Sequence, residues 1–410
     1  MCIRDRYQYA YNPELPLKPE KELTVYTLYD QATINQAATL FGKKHPDTMV
    51  SVHVACADTD DKEAETQRNR LMTSLAAGDG EDVIVLSGLD DNALAKKGVL
   101  MDLSDIVTPM EENGELLQAI VDGEKAADGK QQILPVRFAL PLLLSKEKRA
   151  SEMTDLAALA KAAEQTDGSL LGTFTGEDLV ETFAPYFMPD IIKDKQLDTE
   201  KLRTVLQELQ TIAAHCDMVE KYKKGERASN EWDLPSAMQA VLCQISGFND
   251  AMFDLAIINL VKGDYTSFEN AYIPTVEIGV NANTKQADLA KEFAAFVMSR
   301  EVQDGDFYDG FPVNKESLHM QVSLDRSDYA AYTTIEGADG QEIGLDIEPI
   351  KAADADKLEA LCDSLSKKTV KDAKVLEELK KSVPDYLLGR QSLDDTISKI
   401  QDGVKIYLAE

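Results

Sequence analysis

Four histidines, five cysteines and 73 acidic residues are the groups of this 410-residue sequence that could carry acid–base, nucleophilic or metal chemistry. None falls at a catalytic spacing. His45, His53, His215 and His319 are scattered, with no HExxH and no GxSxG, which leaves each as a surface or hydrogen-bonded histidine. His215 and Cys216 are adjacent within a helical pattern, where neighbours point in different directions, so they imply no nucleophile–base pair. Cys2, Cys56, Cys216, Cys243 and Cys362 are odd in number and far apart, against a disulfide scaffold and against a CxxC zinc site; free, partly buried thiols are expected. Gly78 and Gly80 in AAGDGEDV lack the Lys-Ser/Thr of a phosphate-binding loop and read as a helix stop. Asp58 and Asp60 in ADTDDKEAE are placed like the start of a calcium loop, but Lys62 replaces a ligand and Asn69 stands where the bidentate glutamate belongs. Glycoside hydrolysis needs two carboxylates across a bond, and nothing in the spacing singles out such a pair. The expectation is a protein that is not an enzyme, with no metal and no cofactor.

The elements that would position a binding site are clearer. ELTVYTLY (Glu22 to Tyr29) is β-branched and aromatic and reads as a strand buried on both faces. Ile34, Ala37, Ala38 and Phe41 follow at helical spacing, and MVSVHVA (Met49 to Ala55) is a second strand. A helix over about Ala64 to Ala77 stops at Gly78, Val83 to Leu86 form a third strand, and a short helix from Asn92 to Lys97 stops at Gly98. This β-α alternation predicts a parallel sheet with right-handed crossovers. GKQQILPVRFALPLLLSK has strand residues on both sides of Pro135, as in an extended segment passing between lobes. Ser151 to Gly225 is mostly helical, Ala271 to Ser299 is a strand and then a helix, and Ser392 with Asp395 opens a terminal helix striped by Leu393, Ile397, Ile400, Val404 and Leu408.

Length and composition agree with two globular domains: hydrophobic residues make up 44% and charged residues 28%. The net charge of -30 repels phosphate backbones and anionic lipid, so nucleic acid is excluded as a partner, while neutral ligands and basic protein surfaces are compatible. No run of about 18 apolar residues is present. The opening MCIRDR has no apolar h-region and resembles the translated end of a sequencing adapter. On that reading the natural start, with any signal peptide or lipid-bearing cysteine, lies upstream, and Cys2 is not a lipobox cysteine.

PTVEIGVNANTKQADLAKEFAAFVMSREVQ resembles the return crossover of the maltose-binding-protein-like extracellular solute-binding proteins, family 1, in which a strand leads into N-x-x-S/T-K and an LAKEF helix. VLSGLDDNALAKKG with LMDLSDIV is similar to that family's first lobe, GKQQILPVRFALPLLLSK to its first crossover, and GFPVNKESL (Gly310 to Leu318) to its post-helix loop. The resemblance implies a two-lobed α/β fold of the periplasmic-binding-protein type, each lobe a sheet flanked by helices, joined by two or three crossovers acting as a hinge. Residues 1–21 would be a lead segment, 22–137 plus 272–317 lobe one, and 138–271 plus 318–410 lobe two. It also implies a monomeric capture subunit of an ABC importer, extracellular or periplasmic, tethered through an N-terminal lipid anchor, that closes on a carbohydrate, in particular an oligosaccharide, and delivers it to membrane permease subunits. A secreted glycoside hydrolase and a binder of peptides or polyamines are the alternatives.

A sugar binder needs aromatic faces for the ring and planar polar groups for the hydroxyls, on loops at strand ends. That criterion selects Tyr29 and Asp30 after the first strand, Ser87 and Asp90 after the third, and Arg137 and Phe138 in the first crossover. It adds Trp232 and Asp233 in SNEWDLPSA, Phe248 and Asn249 in QISGFND, and Tyr272 and Phe311 near the return crossover. Trp232, the one tryptophan of the sequence, is the foremost of these, whereas Phe138 and Phe248 serve as readily in packing. The family's binding loops are often rich in tryptophan, so a single one bears on the ligand type more than on the fold.

Overall fold

A computed structural model describes residues 19–57, 61–193, 195–236, 238–324, 331–337 and 340–409. MCIRDR with Cys2, the prolines Pro13 and Pro16, and Asp58 and Asp60 of the acidic run lie outside the described residues.

Along the chain, β1 (Lys21–Thr27), α1 (Ala32–Lys44), β2 (Thr48–Val54), α2 (Asp61–Ala76), β3 (Val83–Val85) and α3 (Asp91–Lys96) alternate. α4 (Ser104–Glu112) and α5 (Gln118–Gly123) precede the long β4 (Leu134–Ser145). The helical stretch has β5 (Thr173–Thr175), β6 (Ile192–Lys193), β7 (Gln196–Leu197) and β8 (Asp217–Val219) set among α6 (Leu156–Ala163), α7 (Gly176–Ile191) and α8 (Thr199–Ala214). β9 (Ala240–Ile245), α9 (Phe248–Val261), β10 (Asp264–Ser267), β11 (Ala271–Val280), α10 (Ala287–Val297), α11 (Arg300–Gln303), β12 (Phe311–Pro312) and α12 (Lys315–Ser323) follow. A hairpin of β13 (Ala331–Glu336) and β14 (Glu342–Ile347), then α13 (Ala352–Asp363), β15 (Lys367–Lys368), α14 (Ala373–Leu387) and α15 (Leu393–Ala409), complete the order.

These elements group into two compact units: residues up to Val107 with Ala126–Leu134 and Glu277–Gly305, and Thr108–Lys125 with Pro135–Val276 and Asp306 onward. In the first unit β1 pairs in parallel with β2 and β3, with Val25 opposite Val52 and Val83. Leu23, Val25 and Tyr26 of β1 are buried, as are Ile34, Ala37 and Phe41 of α1. The sheet expected to be parallel is mixed, because the end of β11 runs antiparallel to β3, with Ile278 opposite Val85. The β-α-β rule fixes direction only for a strand that arrives through a direct crossover, and β11 arrives after a long excursion through the other unit. The NxxTK motif explains itself here. The buried Asn281 amide donates to the Glu81 carbonyl at 3.1 Å, Thr284 hydrogen-bonds Asp82, and Asp82 accepts from the Thr24 amide at 2.8 Å. The motif ties the β11–α10 turn to β1 and β3.

In the second unit β4 lies between β9 and β10, antiparallel to both, with Leu140 opposite Ile245 and Leu144 opposite Tyr265. All of β4 is buried, as an uninterrupted apolar run requires. A large core joins α7, α8, α14 and α15 through Phe183, Leu202, Leu206, Leu209, Val375, Leu379, Val383 and Ile400, with Leu159 of α6 beside them. Ser392 opens α15 as expected: its hydroxyl accepts from the Asp395 amide at 3.2 Å and donates to the Asp395 carboxylate at 2.7 Å.

Thr108–Lys125, placed by sequence with the first lobe, groups with the second unit. The Leu117 amide donates to the Val313 carbonyl at 3.0 Å, the Tyr272 hydroxyl to the Ile120 carbonyl at 3.2 Å, and Lys368 pairs with the buried Glu124. Gly123 permits this approach, since a Cβ there would occupy the Tyr272 hydroxyl position.

Candidate functional site

Trp232 sits in a 3-10 helix, Glu231–Asp233, in the second unit. The Asn230 side chain accepts from the Trp232 amide at 3.2 Å, and the Asp233 carboxylate accepts from the Asn230 amide at 3.0 Å, a reciprocal cap that fixes the turn. Arg227 holds Asp233 at 2.7 Å. The indole rests on Phe253 of α9, with ring centroids 4.3 Å apart at 44°, and keeps 36% of its surface exposed. A large aromatic face backed by another ring and open to solvent is what an apolar ring face of a ligand would stack on. Asn249, half-buried, is in the first turn of the same helix.

Arg137, Phe138, Phe248, Tyr272 and Phe311, also selected from sequence, are instead fully buried. Phe311 packs on Phe138 at 5.8 Å and edge-on to Phe248 at 5.2 Å, because β12 pairs with β4 through Phe311–Phe138 and Pro312–Arg137. The Arg137 guanidinium lies over the Phe307 ring at 5.4 Å. Gly310 (φ 139°) makes the close approach of these strands possible, since a Cβ would come within 2.8 Å of that of Arg137. The Tyr272 hydroxyl is directed at the Ile120 carbonyl. Their side chains support the unit's interior and present no surface to solvent.

In the first unit, Tyr29 is half-buried with its ring beside Gly88, so Tyr29 and the loop Ser87–Asp90 come together. The exposed Asp30 accepts from the Asn35 side chain at 2.7 Å. Asp90 caps α3 by accepting from the Ala93 amide at 2.9 Å, a role the helix start at Asp91 explains.

Three of the four histidines rest near carboxylates: His45 stacks on Phe41 and lies 3.6 Å from Glu292, His53 is 3.1 Å from Glu81, and His319 is 2.9 Å from Glu359. Among the described residues, Cys56, Cys216, Cys243 and Cys362 form no disulfide. Burial pushes Cys216 up to about 12 and raises Cys243 and Cys362 well above the ordinary thiol range, so none of these three is poised as a nucleophile.

Sequence reasoning missed a cavity of about 390 Å³ in the second unit, between α9 and the β14–α13 connection, with Met252, Leu255 and Leu345 on its walls beside Asp346, Glu348 and Asp354. None of the twelve residues selected from sequence lines it. Part of its signal was available: the apolar and polar alternation of EIGLDI reads as a strand.

The fold is that of two-lobed α/β solute-binding proteins. A sugar transporter from Rhizobium etli, solved in an open conformation, matches with a TM-score of 0.61 at 15% identity, covering 94% of this chain and 99% of that one. The sugar-binding protein MalE from Xanthomonas citri matches at 0.64 and 14% identity, covering 95% and 97%. The maltose/maltodextrin-binding domain MalE from Bdellovibrio bacteriovorus, bound to maltotriose, matches at 0.55 and 13% identity, covering 95% and 100%. No curated protein matches the chain. Residues 27–304 match the bacterial extracellular solute-binding protein family, and the chain belongs to it. Among the described residues, no helix is long and apolar enough to cross a membrane.

Proposed function

We propose that this chain is the capture subunit of an ABC importer, taking up a carbohydrate, in particular an oligosaccharide, and handing it to membrane permease subunits. Membership of the extracellular solute-binding family supports the capture role, and the sugar-binding proteins of like fold support the cargo class. The observation that carries the reading is the exposed Trp232 ring backed by Phe253 in a capped, polar segment. Trp232 would supply the stacking face, and Tyr29, Asp30, Ser87, Asp90, Asp233 and Asn249 are the accessible or half-buried groups proposed to meet hydroxyls. Closure of the two lobes around the ligand is the proposed signal to the permease: a ligand that binds the closed form better shifts the equilibrium towards it. The protein acts as a monomer tethered by a lipid anchor on this reading, and it performs no chemistry.

The test is calorimetric titration with maltose, maltotriose and longer glucans, and with xylan and mannan oligosaccharides, for the wild type and Trp232→Ala. Saturable binding that weakens at least tenfold in the variant supports the reading. Undiminished affinity in Trp232→Ala removes that residue from the site, and release of shortened sugars by the protein would assign it to the hydrolases instead.

A further inference from the structure

Asp254, in the middle of α9, is 6% exposed and forms no ion pair among the described residues. Among the described residues it has one hydrogen-bond partner, a weak one, the Cys243 thiol of β9, which donates to Oδ2 at 3.4 Å and also lies 3.5 Å from the Leu142 carbonyl. The other charged groups that bear on it have the same sign. Glu231, from the 3-10 helix that carries Trp232, raises its proton affinity, as does Asp250 one turn back on α9. Asp250 is itself engaged, accepting from the Ser246 amide at 3.0 Å. Other ionisable groups around α9 are Lys146, Glu147 and Lys148 after β4, Asp233 beside Trp232, Asp264 and Tyr265 of β10, Glu342 and Asp346 of β14, and Glu348, Lys351 and Asp354 across the cavity; among the described residues none hydrogen-bonds or ion-pairs with Asp254. A carboxylate buried without a cation among like charges is strongly disfavoured against its neutral acid. Burial first, then Glu231, pushes Asp254 up to about 7.

We propose that Asp254 is a proton-held latch for the Trp232 segment: as the neutral acid it lets Glu231–Asp233 rest on α9, and as the carboxylate it repels Glu231 and loosens that segment from Phe253. The geometry makes the coupling local. Residues 253 and 254 are adjacent on α9, and Trp232 and Glu231, on which their side chains bear, are adjacent in one three-residue turn. The inference concerns the position of Trp232 and holds whether or not Trp232 touches a ligand.

The sequence contains a single tryptophan, so indole emission reports this segment alone. Emission of the full chain is followed from about pH 5 to about pH 8, the range in which such a group would change charge. The latch predicts a red shift with one transition near neutrality, held at the acid-form spectrum throughout by Asp254→Asn. Glu231→Gln, a milder change at a half-buried position, removes most of the red shift, because the charge that the Asp254 carboxylate repels is gone. Emission that does not change with pH in the wild type overturns the proposal. So does a transition that survives in Asp254→Asn, or, should that variant fail to fold, a red shift that Glu231→Gln leaves undiminished.

Discussion

Phe253→Ala removes the ring on which Trp232 rests and leaves the segment's hydrogen bonds in place. The Asn230–Asp233 cap and the Arg227–Asp233 pair persist, so the turn itself stays formed. What is lost is an aromatic pair at 4.3 Å, about 0.5–1.5 kcal/mol beyond area burial. Full burial of a phenylalanine would bring the cost to about 3–5 kcal/mol, and Phe253 is only half-buried, so about 2–3 kcal/mol is expected. At about 2–4 °C per kcal/mol for a domain of this size, the thermal midpoint of the second unit falls by about 4–12 °C. Indole emission shifts to the red because the uncovered ring gains water on its second face. If Trp232 is the ligand platform, affinity falls by about tenfold, the equivalent of about 1.4 kcal/mol of lost preorganisation. Emission and midpoint both unchanged would refute the stacking on which the site is built.

Lys368→Met removes the cation that pairs with Glu124, a carboxylate almost wholly buried, and costs about 3–5 kcal/mol in urea unfolding; adding Glu124→Gln recovers part of the loss. Gly123→Ala drives a methyl group into the Tyr272 hydroxyl and lowers stability by about 1–3 kcal/mol, and Tyr272→Phe in the same chain relieves it. Asp254 gives stability a definite pH slope. Its proton is held more tightly in the folded chain, about 7 against 3.8, so the folded state binds more protons across that window. Stability therefore falls as pH rises from about 4 to about 7, by at most about 4 kcal/mol, and urea titrations of Asp254→Asn show that slope reduced.

Local pattern carried the fold a long way. The β-branched run from Glu22, the glycine stops at Gly78 and Gly98, the serine cap at Ser392 and the helical stripe of Leu202, Leu206 and Leu209 each specify an element through nearest neighbours, and each element is found within a few residues of its expected place. Strand direction was not legible at β11, because it depends on where a distant segment re-enters the sheet. The placement of Thr108–Lys125 was hidden for the same reason: its anchors are Val313, Tyr272 and Lys368, far away in sequence. Which candidate residues would be exposed was only half legible. A lone tryptophan in a proline-punctuated polar loop announced itself, and it is exposed. Phe138, Phe248 and Phe311 satisfy the same loop-and-aromatic criterion, yet the pairing of β12 with β4 buries them, and no single-residue rule separates an aromatic that lines a surface from one that fills a core.

The proposed cargo of this extracellular solute-binding protein is a carbohydrate. That assignment is tested most directly by the thermal midpoint of the full chain against panels of mono- and oligosaccharides, peptides and polyamines. A ligand that binds only the native state stabilises it by about 2.7 kcal/mol at a hundredfold excess over Kd. The account predicts that at least one oligosaccharide raises the midpoint by several degrees while peptides and polyamines leave it unchanged. A midpoint raised by a peptide or polyamine, and by no saccharide, would contradict it.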